Sequence, residues 1–138
     1  MKTLYEAHAS ATGGRNGRVK TDDGLLDLEL ALPKGLGGAG GAKTNPEQLF
    51  ACGYAACFDS ALNFVAMQQK QTLTGTRVDA TVGIGTDDGG AFRLAVRLEV
   101  TIPGIPRDQA EALLARAHEV CPYSNATRGN VDVQLVLL

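Results

Sequence analysis

The sequence predicts an α+β fold in which antiparallel sheet wraps one long buried helix. Three observations lead there. Residues 44–71, "TNPEQLFACGYAACFDSALNFVAMQQKQ", are apolar on nearly every side, as a central helix must be. Two stretches, the second alternating with period two, flank Asp87-Asp88-Gly89-Gly90, a hairpin signal. A second helical stripe follows over 107–120. With 138 residues the chain suits a single domain, 1–138, around one core.

The elements follow in order. "LYEAHASAT" alternates at its start, and "RVK" and "LLDLELAL" lie on either side of the Asp22-Asp23-Gly24 turn signal; these read as short antiparallel strands. "PKGLGGAGGAK" (33–43) holds five glycines in eleven residues and is expected as a mobile loop, either a gate or an ordinary connector. The long helix starts at one of two caps: Thr44-x-x-Glu47 has capping-box spacing, and Asn45-Pro46 reads as N-cap followed by N1 proline. Burying all sides of so apolar a helix in so small a chain calls for a partner subunit. Pro103 and Pro106 end the hairpin strands. "RDQAEALLARAHEV" (107–120) is amphipathic, with Ala110, Leu113, Leu114 and Ala117 on one stripe. "YSNATRGN" then reads as a turn, and "VDVQLVLL" as a closing strand.

Composition narrows the functional classes. The chain is 44% hydrophobic and 20% charged, with net charge −2. Nothing in that balance attracts nucleic acid or an anionic membrane. No unbroken run approaches 18 apolar residues, so no membrane span is expected. The N-terminus lacks the apolar block of a signal peptide, which makes the cytoplasm the default compartment and the Asn125-Ala126-Thr127 sequon a chance match.

Three cysteines carry the chemical interest. Cys52 and Cys57 lie five residues apart on the long helix, about 140° around its axis, with Cα atoms roughly 8–9 Å apart. That exceeds the disulfide limit of about 7 Å. A metal site is not expected, because the x4 spacing is wrong for zinc and neither His8 nor His118 has a ligand partner. Cys57 and Cys121 remain as a candidate pair. Cys121 continues the apolar stripe of the second helix from Ala117, and Pro122 forces the helix to end at or before it. Two inert core thiols fit the same features equally well, since free cysteine behaves as a small buried hydrophobe. A mid-helix Cys57 gains little from the helix dipole, and burial raises its pKa, so reactivity would need a nearby cation.

Three blocks carry a resemblance: "ATGGRNGRV", "GGAGGAKTNPEQLFACGYAACF" and "VCPYSNATRGNVDV". Together they resemble, in order and over nearly the whole chain, the signature blocks of the organic hydroperoxide resistance (Ohr) branch of the OsmC-like superfamily. The "CPYSNATRGN" block favours that branch over the broader OsmC one. The resemblance implies an OsmC-like fold in an intertwined homodimer with active sites at the interface. It implies a thiol peroxidase that reduces organic hydroperoxides, including those of fatty acids, to alcohols. By position, Cys57 matches the peroxidatic cysteine, Cys121 the resolving cysteine, Arg15 the arginine of "TGGR" and Glu47 the glutamate of "TNPEQLF". The implied reductant is a dihydrolipoyl dithiol, free or on a lipoyl-bearing protein, and no cofactor is expected. Position 52 is a departure: the family has a small apolar residue there, and Cys52 is expected to be a core substitution without catalytic role.

Read physically, Arg15 would stabilise the Cys57 thiolate and the departing alkoxide, and Glu47 would hold the guanidinium fork. Without the resemblance, Arg15 reads as a solvated turn residue and Glu47 as part of a cap. Ten residues of helix separate Glu47 from Cys57, about 15 Å. The Glu47 serving a given Cys57 is therefore expected from the other subunit. Phe50, Tyr54, Ala61 and Phe64 either line an apolar tunnel or are plain core. Two other classes compete: a redox sensor or small-ligand binding dimer without turnover, and a structural dimer with inert thiols.

Overall fold

The computed structural model describes residues 1–138, which form two compact units, 1–49 and 50–138. The boundary falls inside the long helix α1 (Pro46–Gln68).

In the first unit, β1 (Ala9–Thr12), β2 (Arg18–Thr21) and β3 (Asp27–Glu29) form an antiparallel sheet in that order. Two strands are shorter than their alternation suggested. β1 pairs with β2 only from Ala9↔Thr21 to Thr12↔Arg18, and one further bond, Asp22 N–H to His8 C=O, closes that end. Leu25 and Leu26 belong to the turn: Asp23 Oδ1 accepts the Leu25 N–H, and Leu26 C=O accepts from Thr21. The glycine-rich segment is not featureless. It contains a 3-10 turn at Lys34–Leu36, closed by Gly37 N–H to Lys34 C=O and Gly38 N–H to Pro33 C=O.

The second unit holds the main core. β4 (Arg77–Thr86) and β5 (Phe92–Thr101) form the long hairpin, with Asp87 Oδ1 accepting the Gly89 and Ala91 N–H groups in the turn. Helices α2 (Arg107–Val120) and α3 (Pro122–Thr127) cross over to β6 (Asp132–Leu137), which joins β5 in parallel. The second sheet is therefore mixed, ordered β4-β5-β6, as a helical crossover requires. Val96, Leu98 and Val100 of the central strand β5 are buried on one face. They align with Val82, Ala80 and Val78 on β4 and with Val133, Leu135 and Leu137 on β6. Phe58, Leu62, Val65 and Ala66 of α1 and Ala110, Leu113, Leu114 and Ala117 of α2 complete the cluster.

Helix α1 is long and apolar enough to cross a membrane by composition, with mean hydropathy 1.4 over its best window, although it contains no unbroken apolar run of that length. Here its apolar stripe is core. Its C-terminus is a Schellman cap: Gln71 N–H bonds Ala66 C=O and Lys70 N–H bonds Met67 C=O, with Lys70 left-handed at φ 58. A non-glycine residue in that conformation costs about 1 kcal/mol. Lys70→Gly is therefore expected to stabilise the protein by about 0.5 kcal/mol once the added freedom of the unfolded chain is subtracted. Urea unfolding midpoints of the two proteins check this.

Candidate active site

The Arg15 loop is built by its glycines. Gly13 and Gly14 take left-handed φ values of 71 and 56, and a Cβ on Gly17 would sit 1.7 Å from the Thr12 carbonyl oxygen. Asn16 Oδ1 accepts the Leu32 N–H at 3.0 Å, and Gly17 C=O accepts the Leu30 N–H at 2.8 Å, which ties the loop to the end of β3. Arg15 then reaches Glu47 with both prongs, Nη1 to Oε2 and Nη2 to Oε1, each 2.7 Å. Glu47 is free to do this because Asn45 is the cap: its Oδ1 accepts the Gln48 N–H at 2.9 Å. Of the two cap readings, Asn45-Pro46 holds, and the Thr44–Glu47 box does not form. Thr44 Oγ1 bonds the Gln48 side chain instead.

The fork raises the Arg15 pKa through its hydrogen bonds to Glu47, and the same bonds hold the Glu47 carboxyl below its ordinary value of 4.5. A lowered carboxylate pKa contributes stability above the ordinary value, lost as pH falls through the folded one. Glu47→Gln is accordingly expected to lower the melting temperature at pH 7 and to lose less on acidification to pH 3 than the wild type. Melting curves at a series of pH values measure the difference.

The thiols meet in the second unit. Cys57 lies mid-helix and is half-buried; Cys121 is fully buried. Their Sγ atoms are 3.7 Å apart across 64 residues of sequence, and both are free. Disulfide formation needs them about 1.7 Å closer. Cys121 stands at the joint expected of it: α2 ends at Val120, Cys121 is extended (φ −61, ψ 123), and Pro122 opens α3. The segment read as a turn is thus a short helix. Burial pushes the Cys57 thiol above its ordinary range; the Tyr123 backbone N–H opposes that shift, and the adjacent Cys121 thiol, competing for the same charge, adds to it.

Around the pair, Tyr54 and Ala61 are buried while Phe64 is exposed, so these four helix positions do not line one enclosed surface. The Tyr123 ring stacks on Phe50 with centroids 5.9 Å apart and lies over Gly53, where a Cβ would come within 3.0 Å of its hydroxyl. Cys52 is exposed, which corrects its reading as a core residue: it lies off the stripe formed by Tyr54, Phe58, Ala61, Leu62 and Val65. Sequence reasoning also missed a polar core. Tyr54 Oη contacts Ser124 Oγ at 2.9 Å and Thr127 Oγ1 at 3.1 Å, and His118 Nδ1 contacts Ser124 Oγ at 2.9 Å. No signal short of the fold joins residues 70 positions apart. No group of three or more His, Cys, Asp and Glu side chains converges to hold a metal ion.

The chain thus combines a mid-helix thiol, a second thiol at the joint between α2 and α3, and a charge-paired arginine on an α+β fold with one long helix. Comparison with known proteins names the family. Residues 38–136 match the model for OsmC-like proteins. The chain is 55% identical over 137 residues to the organic hydroperoxide resistance protein of Xanthomonas axonopodis pv. citri, covering 99% of this chain and 96% of that protein. It is 44% identical to the organic hydroperoxide resistance protein OhrB of Bacillus subtilis, covering 97% and 98%. The crystal structure of an organic hydroperoxide resistance protein from Legionella pneumophila superposes with TM-score 0.94 at 54% identity, covering 99% and 98%. That of Bacillus subtilis OhrB gives TM-score 0.91, covering 99% of this chain and 100% of its own. The chain belongs to the OsmC-like family, on its organic hydroperoxide resistance branch.

Proposed function

We infer that this protein is a cysteine-based thiol peroxidase that reduces organic hydroperoxides, those of fatty acids included, to alcohols. The observation that carries the reading is the approach of Cys57 and Cys121 to 3.7 Å in a chain whose relatives are named for resistance to organic hydroperoxides. The Cys57 thiolate attacks the hydroperoxide; an S–O bond forms, the O–O bond breaks, and the alkoxide leaves as alcohol after taking a proton. Cys121 then attacks the Cys57 sulfenic acid, and water leaves as the disulfide forms. A dihydrolipoyl-type dithiol, free or protein-bound, returns both thiols by two exchanges.

Burial works against the Cys57 thiolate, so a cation has to favour it. Arg15 is the candidate, oriented by Glu47. Glu47 and Cys57 stand on one continuous helix about 15 Å apart by its rise. The Arg15–Glu47 fork of one copy therefore serves Cys57 of the other, in an intertwined homodimer. Exposed Phe64 and Met67, with Cys52, Ala56 and Ser60 also exposed on α1, support such a partner. The working compartment is the cytoplasm, where lipoyl dithiols keep the pair reduced.

Turnover tests the reading against a sensor or ligand-binding dimer. With excess dihydrolipoamide, the protein is expected to consume many equivalents of cumene hydroperoxide, and hydrogen peroxide more slowly. A single equivalent consumed, with no recycling, would make it a sensor.

A further inference from the structure

We propose that the buried hydroxyl chain Tyr54–Ser124–Thr127, headed by His118, positions Cys121 for the disulfide-forming step by fastening α3 to α1. The proposal rests on the peroxidase reading above. It concerns the second chemical step, not the attack on peroxide.

Helix α3 has six residues, too few to hold a fixed place by its own hydrogen bonds. It follows Cys121, whose extended backbone is the joint between α2 and α3. Any swing of α3 about that joint moves the Cys121 sulfur, which must travel from 3.7 Å to bonding distance at Cys57. Arg128 Nη2 donates to the His118 carbonyl at 2.6 Å and holds α3 to α2; from the α1 side the buried polar anchor is Tyr54, one turn before Cys57. Tyr54 and Ser124 are 0% exposed and Thr127 is 4% exposed, so their contacts exclude water.

One assignment of the protons satisfies every group, with Thr127 donating to a backbone carbonyl. Thr127 Oγ1 donates to the Tyr123 carbonyl at 3.0 Å, so it accepts from Tyr54 at 3.1 Å. Tyr54, its one proton used, accepts from Ser124 at 2.9 Å. Ser124, its proton used, accepts from His118, whose Nδ1 therefore carries hydrogen at 2.9 Å. The chain runs one way, every hydroxyl donating once and accepting at least once. A phenylalanine at position 54 would fill the same apolar space against Phe50 and Tyr123. The hydroxyl adds direction: it selects the one placement of α3 that puts the Ser124 and Thr127 hydroxyls beside Tyr54.

The test uses the full-length reduced protein, cumene hydroperoxide, and dimedone to trap sulfenic acid, with intact mass read over time. The first step is read as appearance of Cys57 sulfenic acid and the second as its conversion to disulfide. In Tyr54→Phe and in Thr127→Val the second step is expected to slow about 10- to 100-fold relative to the first. Thr127→Ser, which keeps the hydroxyl, restores the wild-type ratio. Folded Tyr54→Phe or Thr127→Val protein with a wild-type ratio would overturn the proposal, as would Thr127→Ser as slow as Thr127→Val. Should Tyr54→Phe not fold, the two Thr127 variants decide the matter alone. Absence of both sulfenic acid and disulfide on wild-type Cys57 would overturn the peroxidase reading and this proposal with it.

Discussion

Cys57→Ser is expected to abolish reaction with organic hydroperoxides, a loss of at least about 10³-fold, because no other group in the chain supplies the nucleophile. Cys52 is the chain's other helix thiol, but it is exposed on a different side of α1. Cys121→Ser is expected to behave differently. The first oxidation proceeds, the product stays at sulfenic acid, and excess peroxide carries it onward to sulfinic acid. The asymmetry follows from the burial of Cys121 and the partial exposure of Cys57. Stopped-flow peroxide consumption with mass analysis of the products separates the two cases. Equal loss in both variants would mean that the thiols act as one structural unit rather than in sequence.

Removing the cation is expected to cost nearly as much. Arg15→Ala should lower the rate of Cys57 oxidation by about 10²- to 10³-fold, the usual effect of deleting a preorganised donor at a developing negative charge. Glu47→Gln should cost less, because the arginine keeps its charge and loses only the clamp made by the two 2.7 Å bonds. The proposed two-copy site adds a sharper expectation. Arg15→Ala and Cys57→Ser chains are inactive alone, but in random mixed dimers half of the molecules carry one intact site. About a quarter of wild-type activity should return on mixing. No recovery after verified subunit exchange would place Arg15 and Cys57 of one site on the same chain.

How far the sequence foretold these features depended on the range of the interaction involved. Local signals held: Asn45-Pro46 starts α1, Asp87 makes the hairpin turn, and Pro122 stops α2 at Cys121. Signals that need a partner did not. The "YSNAT" stretch looks like a turn because serine and asparagine favour turns, and five residues are too few to show a helical period. In the fold it is a short helix that opens at Pro122, with the Ser124 and Thr127 hydroxyls against Tyr54, distant in sequence. The alternation of "VDVQLVLL" shows a strand but not its direction, so the parallel pairing with β5 had to come from the fold. The all-round apolar character of α1 concealed which face is core, and Cys52 was misplaced for that reason. Arg15 was the hardest to read: a polar loop residue by pattern, it became a site candidate only through the family blocks, and the fork with Glu47 expected on that basis forms.

The most direct measurement is the identity of the thiols lost when the reduced protein meets one equivalent of cumene hydroperoxide. Peptide mapping after alkylation of the remaining thiols is expected to show Cys57 joined to Cys121 and Cys52 alkylated. Recovery of all three cysteines alkylated, or a disulfide that includes Cys52, would contradict the assignment of Cys57 and Cys121 as the reacting pair.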